Sequence, residues 1–440
     1  MADFAAMGDA QRKYFDSQAT KPYEFRREQL KKLQGWMTKN EQAILDALHE
    51  DLGKSDYEGY LTEVAMVKQE LADALKHLRG WMKPKKARTA MGQLPGSCRI
   101  LSEPYGVVLI MSPWNYPFQL ALDPLVGALA AGNCVALKPS TTSARTCRLI
   151  GNILGEIFPP DYVSVFDGDH AQTAELLEYR FDHIFFTGGA AFGRTVMEKA
   201  AAHLTPVTLE LGGKSPSIVD RGADIEVAAR RIAWGKTLNA GQTCICANRF
   251  LVERPVYDQF AQAMLAQVRA LRVGNGLDPA TDMGPLINPA AVAHADALVR
   301  DAQDKGAQVL AGGRPHSLGG NFYEPTLLTG LTPQMRIFHE EIFGPVAALM
   351  PFDTEEEAVA LANDTEYGLA SYVCTNHMPR VWRLFRNLQY GMAGVNDITL
   401  AAAETPFGGT KNSGLGREGG REGLLEYMET RYLLLGGLEG

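Results

Sequence analysis

The sequence predicts an α/β fold of two domains, each built on a mainly parallel sheet with helices on both faces. Three observations predict it. Short apolar runs alternate with segments of helical period from about Gly106 onward, the order that a helix-covered parallel sheet requires. The length, 440 residues, allows two large folding units or about three of ordinary size. Hydrophobic residues at 46% and charged residues at 21% give the balance of a packed globular chain and exclude disorder of the whole.

In order along the chain, residues 11–82 carry Leu30, Leu33, Trp36 and Met37, then Ile44, Leu45 and Leu48, at helical spacing among many charges, and read as a helical lead-in. From Lys83 to Ser102 the pattern breaks into a basic segment punctuated by Gly and Pro, where a hairpin would leave the body of the domain. The run from Gly106 to Ser112 starts a series of strands. It continues through CVALKPS with a helix from about Ser143, Val163 to Phe166, HIFFTGG with a helix from about Phe192, and PVTLELGG. A boundary falls near Leu211 to Ser215, and a second alternating set follows from Ile225, including FLVE, AQVLAGG, a polar loop near His316 to Asn321, and PVAALMPF. The apolar segment Tyr432 to Leu435 reads as a buried strand or an interface arm.

Charge and cysteine usage exclude several functions. Lys and Arg total 43 against 51 Asp and Glu, a net charge of −8 without a long basic run, so the electrostatic footprint of a nucleic-acid binder is missing. The six cysteines, Cys98, Cys134, Cys147, Cys244, Cys246 and Cys374, are too few for a disulfide scaffold and lack paired zinc-ligand spacing. No metal and a reducing, cytoplasmic location are the expectation. The N-terminal residues show no signal or transit pattern, and no window approaches the roughly 20 apolar residues of a membrane span.

Four motifs have chemical potential. Asn239-Ala240-Gly241-Gln242-Thr243-Cys244 is a small turn ending in a cysteine before an apolar strand; it can present a thiol at the mouth of a cleft, where a lowered pKa would make it a nucleophile. An inert buried cysteine is the ordinary alternative. Glu210, at a strand end leading into Gly212-Gly213, is placed to act on a water with a pKa lifted by burial, or is a salt-bridged surface residue. Asn115 in Pro113-Trp114-Asn115-Tyr116-Pro117 offers an amide to a developing oxyanion, or simply forms a turn. Phe185-Phe186-Thr187-Gly188-Gly189-Ala190-Ala191-Phe192-Gly193 reads as strand, glycine turn and helix start, a phosphate-binding geometry without the usual GxGxxG spacing.

Together with Lys138-Pro139-Ser140 and Glu340-Glu341-Ile342-Phe343-Gly344-Pro345, these motifs resemble the aldehyde dehydrogenase superfamily over nearly the whole chain. The resemblance implies an NAD(P)-dependent oxidation of an aldehyde to the acid. Cys244 would be the nucleophile, Glu210 the general base, and Asn115 with the Cys244 backbone N–H the oxyanion site. Lys138 would contact the adenosine ribose and Glu341 the nicotinamide ribose; Gly188 and Gly193 would edge the pyrophosphate turn, with Phe343 beside the nicotinamide. Trp114, Ser140, Thr141, Gly189 and Leu211 complete the expected cofactor contacts. The implied architecture is two Rossmann-like α/β domains with a small β oligomerisation arm. Residues 1–85 and 106–211 would form the cofactor-binding domain, 212–424 the catalytic domain, and 86–105 with 425–440 the arm. A homodimer is expected, with a tetramer as the alternative.

The two halves resemble different branches. As far as about Trp234, PWNYPF, LDPLVGALAAGN, FDHIFFTGG and HLTPVTLELGGKSP are similar to class 3 aldehyde dehydrogenases, whose substrates are aromatic and long aliphatic aldehydes. Beyond it, NAGQTCICANRFLVE, ANDTEYGLASY and PFGGTKNSGLGREG are similar to succinate-semialdehyde dehydrogenases, so a mosaic is one reading. A semialdehyde site needs an arginine for the distal carboxylate. The position where those enzymes place one is Leu238 here, and the loop after Asn115 offers none. An apolar or aromatic aldehyde is therefore expected, walled by Tyr116, Phe118, Leu238 and Phe407. Succinate semialdehyde or a CoA-acylating reaction are the alternatives, and retention of Glu210 argues against the second. Thr141 stands where NAD-preferring members commonly place a glutamate, which turns the expectation from NAD toward NADP. Cys246, two residues past the nucleophile, is a candidate redox partner or a small residue packed in the fold.

Overall fold

The computed structural model describes residues 4–436. Its first sheet has six strands in the order Gly414–Leu415, Val207–Glu210, His183–Thr187, Val107–Met111, Cys134–Lys138 and Val163–Val165. All neighbours run parallel except the first pair, in which Gly414 lies antiparallel to Glu210. Val107–Met111 is buried at every position, as a strand covered by helices on both faces must be. On one of those faces lies Gln119–Ala131, whose sequence QLALDPLVGALAA is apolar nearly all round. Such a helix needs partners on every side, and it packs on Tyr23–Lys39, Ala65–Trp81 and Gly420–Glu426.

A second sheet of seven strands runs Gln308–Ala311, Thr326–Thr329, Val346–Phe352, Arg249–Glu253, Pro216–Val219, Ala370–Cys374 and Met392–Val395, parallel apart from the first pair. The expected α/β class with two mainly parallel sheets is thus present. A third, antiparallel sheet joins Lys85–Ala87, Ser97–Pro104 and Met428–Leu435. The strand expected near Tyr432 to Leu435 is exposed rather than buried, with Tyr432 59% and Leu433 44% accessible. Part of the expected arm, residues 437–440, lies outside the described residues, as do residues 1–3 of the first domain. Among the described residues no helix is long and apolar enough to cross a membrane.

The chain returns to the first sheet near its end: Gly414–Leu415 adds to that sheet, and Leu424, Tyr427 and Met428 enter its core. The two-residue strand is too short to show a period, so only the pairing reveals the return. The helix Gly420–Glu426 also crosses the expected start of the arm at 425.

Candidate active site

Strand register brings the predicted residues together. Lys138 lies beside Met111, Met111 beside Phe186, and Thr187 beside Glu210. The loops that follow, carrying Trp114 and Asn115, Ser140 and Thr141, Gly188 and Gly189, and Leu211, therefore leave one carboxyl edge side by side. That edge is where open α/β sheets hold ligands. The second sheet presents its opposite edge: Gly213, Cys244 and Glu341 all precede strands that begin there.

The two edges meet through the Gly212-Gly213 turn. The Gly213 N–H donates to Glu341 Oε1 at 3.1 Å. A Cβ on Gly213 would lie 2.5 Å from the Cys244 carbonyl oxygen, and one on Gly212 would lie 2.5 Å from Glu341 Oε2. Any side chain in this turn would push the Cys244 loop away from the first sheet. The approach to Cys244 is itself strained, with Asn239, Ala240 and Gly241 at φ of 49°, 52° and 77°, a run of left-handed residues that persists only when its surroundings impose it. The surroundings do so. The Asn239 N–H donates to Glu58 Oε1 at 2.5 Å, Asn239 Nδ2 to the Asn115 carbonyl at 2.7 Å, and Asn115 Nδ2 to the Gln242 carbonyl at 2.9 Å.

Behind Asn115 is a buried ion pair. Lys54 and Glu63 form a salt bridge with side chains 1% and 0% exposed. Lys54 Nζ also donates to the Asn115 carbonyl at 3.2 Å and sits 4.2 Å from the Tyr116 ring centroid. Glu63 Oε2 accepts the backbone N–H groups of Phe118 and Gln119 at 2.8 and 3.2 Å. The loop carrying Asn115 is thus held at both ends. Glu63 lies on a π-helical turn, Tyr60–Val64, a local feature frequent at functional sites.

The electrostatics correct one expectation. Burial pushes the Cys244 thiol up, as do the nearby carboxylates of Glu341 and Glu210, while the Ile245 and Cys244 backbone N–H groups act in the other direction. The thiol is not lowered in this state, because its surroundings are apolar and acidic. Glu210 is raised well above the ordinary carboxylate range by burial and then by Glu418, and neither of its oxygens has a hydrogen-bond partner. Glu341 is raised to about 7 by burial, against the Gly213 N–H, Lys214 and Lys236. Beyond Glu210, burial lifts Glu418 to about 8, with Asp123 adding to it; burial and then the charges of Asp123 and Glu418 raise Glu70 to about 9, and burial, with Glu63 adding to it, raises Asp123 to about 7. Glu70, Asp123 and Glu418 line a small cavity of about 40 Å³.

Cys244 opens onto a larger cavity of about 300 Å³ whose lining residues include Leu61, Met66, Trp234, Ile245, Ile398 and Leu400, with no charged side chain. Tyr116, Leu238 and Phe407 line it. Phe118 does not: it is fully buried in the core of the first sheet, because its backbone is drawn to Glu63 at the start of Gln119–Ala131. Gln119 and Leu120 occupy that part of the wall.

The expected cofactor residues separate into two groups. Trp114 and Phe343 meet edge to face, with centroids 5.5 Å apart, and Phe343 has φ of 47°. Gly189 is the N-cap of Ala190–Ala201, and a Cβ there would meet nothing within 4 Å, so the helix N-terminus is open to an anion. Thr187 Oγ1 is buried nearby without a partner. Gly188 and Gly193 are small for another reason: a Cβ on them would strike the Phe186 ring at 2.4 Å and Leu211 at 2.8 Å. Lys138 is half-buried and donates to the Pro139 carbonyl at 3.2 Å; burial lowers its pKa, and Asp167 and Asp169 are among the charges that oppose this. Thr141 is exposed, and Ser140 Oγ accepts the Thr142 N–H at 3.3 Å. Cys246 is a free thiol within 3.4 Å of the buried Lys236 Nζ. No metal-holding group of acidic, histidine or cysteine side chains occurs among the described residues.

Sequence reading missed Lys54, Glu58, Glu63 and the functional part of Asn239. One signal was available, since Glu63 falls in phase with Val67, Leu71, Ala74 and Leu78, which are all buried, so a carboxylate stands on an apolar helical face.

Known proteins share this fold. The model of the aldehyde dehydrogenase family matches residues 2–433. The mitochondrial succinate-semialdehyde dehydrogenase of Oryza sativa subsp. japonica is 43% identical over 77% of this chain, a match spanning 65%, just under two thirds, of that enzyme. The dimeric NADP-preferring aldehyde dehydrogenase of Rattus norvegicus is 36% identical over 96% of this chain and 92% of its own. Among solved structures, an NADP dependent enzyme of E. coli superposes with a TM-score of 0.94 at 32% identity, over 99% of this chain and 90% of that one. With the family model matched across almost its entire length and the fold shared, the chain belongs to the aldehyde dehydrogenase family.

Proposed function

We propose that the protein oxidises an apolar aldehyde, aromatic or medium- to long-chain aliphatic, to its carboxylic acid with NAD or NADP. The observation that carries this reading is the position of Cys244, which lines an uncharged, apolar cavity while its loop packs on the carboxyl edge of the first sheet. Deprotonated, Cys244 attacks the aldehyde carbon and forms a thiohemiacetal. The second Asn115 amide N–H and the Cys244 backbone N–H hold the oxyanion; one such donor contributes about 3 kcal/mol to the barrier. Glu210, unpartnered and with a raised pKa, takes a proton from the water that hydrolyses the resulting thioester.

The residues at the first rim fit a nicotinamide dinucleotide. The open helix N-terminus at Gly189 and the unpartnered Thr187 hydroxyl suit its phosphates, Lys138, Ser140 and Thr141 its adenosine ribose, and Glu341 with Trp114 and Phe343 its nicotinamide end. When bound, that group accepts the hydride. Thr141 leaves the strand end without a carboxylate, which supports NADP. The first sheet is the cofactor-binding part and the second the catalytic part. The exposed apolar strand Met428–Leu435 supports pairing between copies in a homodimer, with a tetramer as the alternative, in the cytoplasm.

Comparison of kcat/KM for hexanal, benzaldehyde and succinate semialdehyde, each with NAD and with NADP, tests the reading. Hexanal and benzaldehyde should exceed succinate semialdehyde, with NADP at least equal to NAD. Preference for succinate semialdehyde, the reading favoured by identity to the rice enzyme, would overturn the substrate class.

A further inference from the structure

One wall of the substrate cavity depends on a missing side chain. Gly235 stands inside the helix Ile225–Thr237, where glycine is less favourable than alanine for the helix itself. A Cβ at this position would fall 1.9 Å from Ile398 Cδ1 and 3.2 Å from its Cγ1. Ile398 therefore rests on bare helix backbone. Both residues line the cavity, between Trp234 and Leu238 on the helix side and Thr399 and Leu400 on the loop side.

The loop that carries Ile398 is anchored on both sides of it. Asn396, at φ of 53°, accepts the Thr375 N–H at 3.0 Å and donates to the Thr375 carbonyl at 2.8 Å. Arg231 donates to the Asn396 carbonyl. The Asp397 carboxylate accepts the Thr399 N–H at 3.0 Å and the Thr399 hydroxyl at 2.7 Å. Ile398 also separates two cavities of different character. The second, of about 150 Å³, is mixed: Asp224, Arg231 and Asp397 line it together with Val227, Ile232 and Val373. An isoleucine displaced from the helix finds twice the volume and no charged side chain in the substrate cavity, which favours that side.

Building on the proposed aldehyde oxidation, we infer that Gly235 is a specificity-determining residue: by seating Ile398 it holds the cavity wide enough for ring-bearing aldehydes. Added bulk at 235 turns Ile398 into the cavity and selects for slim, unbranched substrates. One methylene in an apolar pocket discriminates by about 10-fold to 200-fold.

The test uses Gly235→Ala, Ile398→Ala and the double variant of the full chain, with kcat/KM for benzaldehyde divided by that for propanal as the readout. The ratio should fall about 10-fold or more in Gly235→Ala and return toward the wild-type value in the double variant. An unchanged ratio in Gly235→Ala, or an equal fall in the double variant, overturns the inference. If Gly235→Ala does not fold, Ile398→Ala alone decides, since the wider cavity should raise the ratio and a constant ratio refutes it. If the wild type oxidises neither aldehyde, the proposed function fails, and a crystal structure of Gly235→Ala then reads the cavity directly. Ile398 turned into the substrate cavity supports the inference; Ile398 turned into the second, mixed cavity, or unmoved, overturns it.

Discussion

Two sets of buried acids, Glu63 on one hand and Glu210 with Glu418 on the other, are treated in opposite ways. Glu63 has Lys54 and two backbone N–H groups to itself. Glu210 has no hydrogen bond and is raised by burial and by the charges of Glu418 and Glu426, with Arg417 opposing. A satisfied buried charge fixes geometry; an unsatisfied one is held ready to exchange a proton. The difference teaches that the same residue type supplies scaffold or chemistry according to its partners.

The largest effect should come from the unsatisfied acid. In Glu210→Gln, a rapid-mixing trace should keep one burst of reduced cofactor while steady-state turnover falls by about 10²-fold to 10⁴-fold, the usual contribution of a general base. A steady-state rate equal to wild type would remove Glu210 from catalysis and the contrast with it.

Next is the satisfied acid. Lys54→Met leaves Glu63 buried without its cation and should cost about 3–5 kcal/mol in denaturant unfolding. Turnover should fall with it, because the Asn115 carbonyl loses one of its two donors and keeps only Asn239 Nδ2. A variant as stable as wild type would mean that the pair does not brace the loop.

The smallest effect concerns pH. Glu418 is raised from 4.5 to about 8 in the folded chain, so the folded state holds a proton that the unfolded state releases. Stability from this source is present below about pH 4.5 and is lost as pH rises through about 8. Glu418→Gln removes the titration. Its melting temperature should gain on wild type across that interval, with the difference vanishing toward pH 4.5, and parallel curves would show that Glu418 does not titrate there.

How much of this was legible in the sequence follows from where each residue sits. Asn115, Lys138, Gly188 and Glu210 stand at or just beyond strand ends, and a strand followed by a turn is a pattern that one sequence displays. Parallel register then gathers them without further information. Phe118 was misplaced because the aromatic residue beside a site motif has no period of its own; the backbone bonds to Glu63, distant in sequence, decide that it turns inward. The Lys54–Glu63 pair spans the gap between two helical elements, so no spacing rule announces it. The glycines at 188 and 193 were visible, but their cause was not: packing against Phe186 and Leu211 is a tertiary fact. The raised Cys244 thiol likewise depends on burial and on Glu341, which precedes a different strand at the same edge of the second sheet.

The return of Gly414–Leu415 to pair with Glu210 has a consequence for how the molecule is made. A nascent chain that has emerged as far as Val395 has every strand of the second sheet, yet the first still lacks its edge and Tyr427. The half that begins first is therefore finished last, and no break between the two halves would release either as an independent piece.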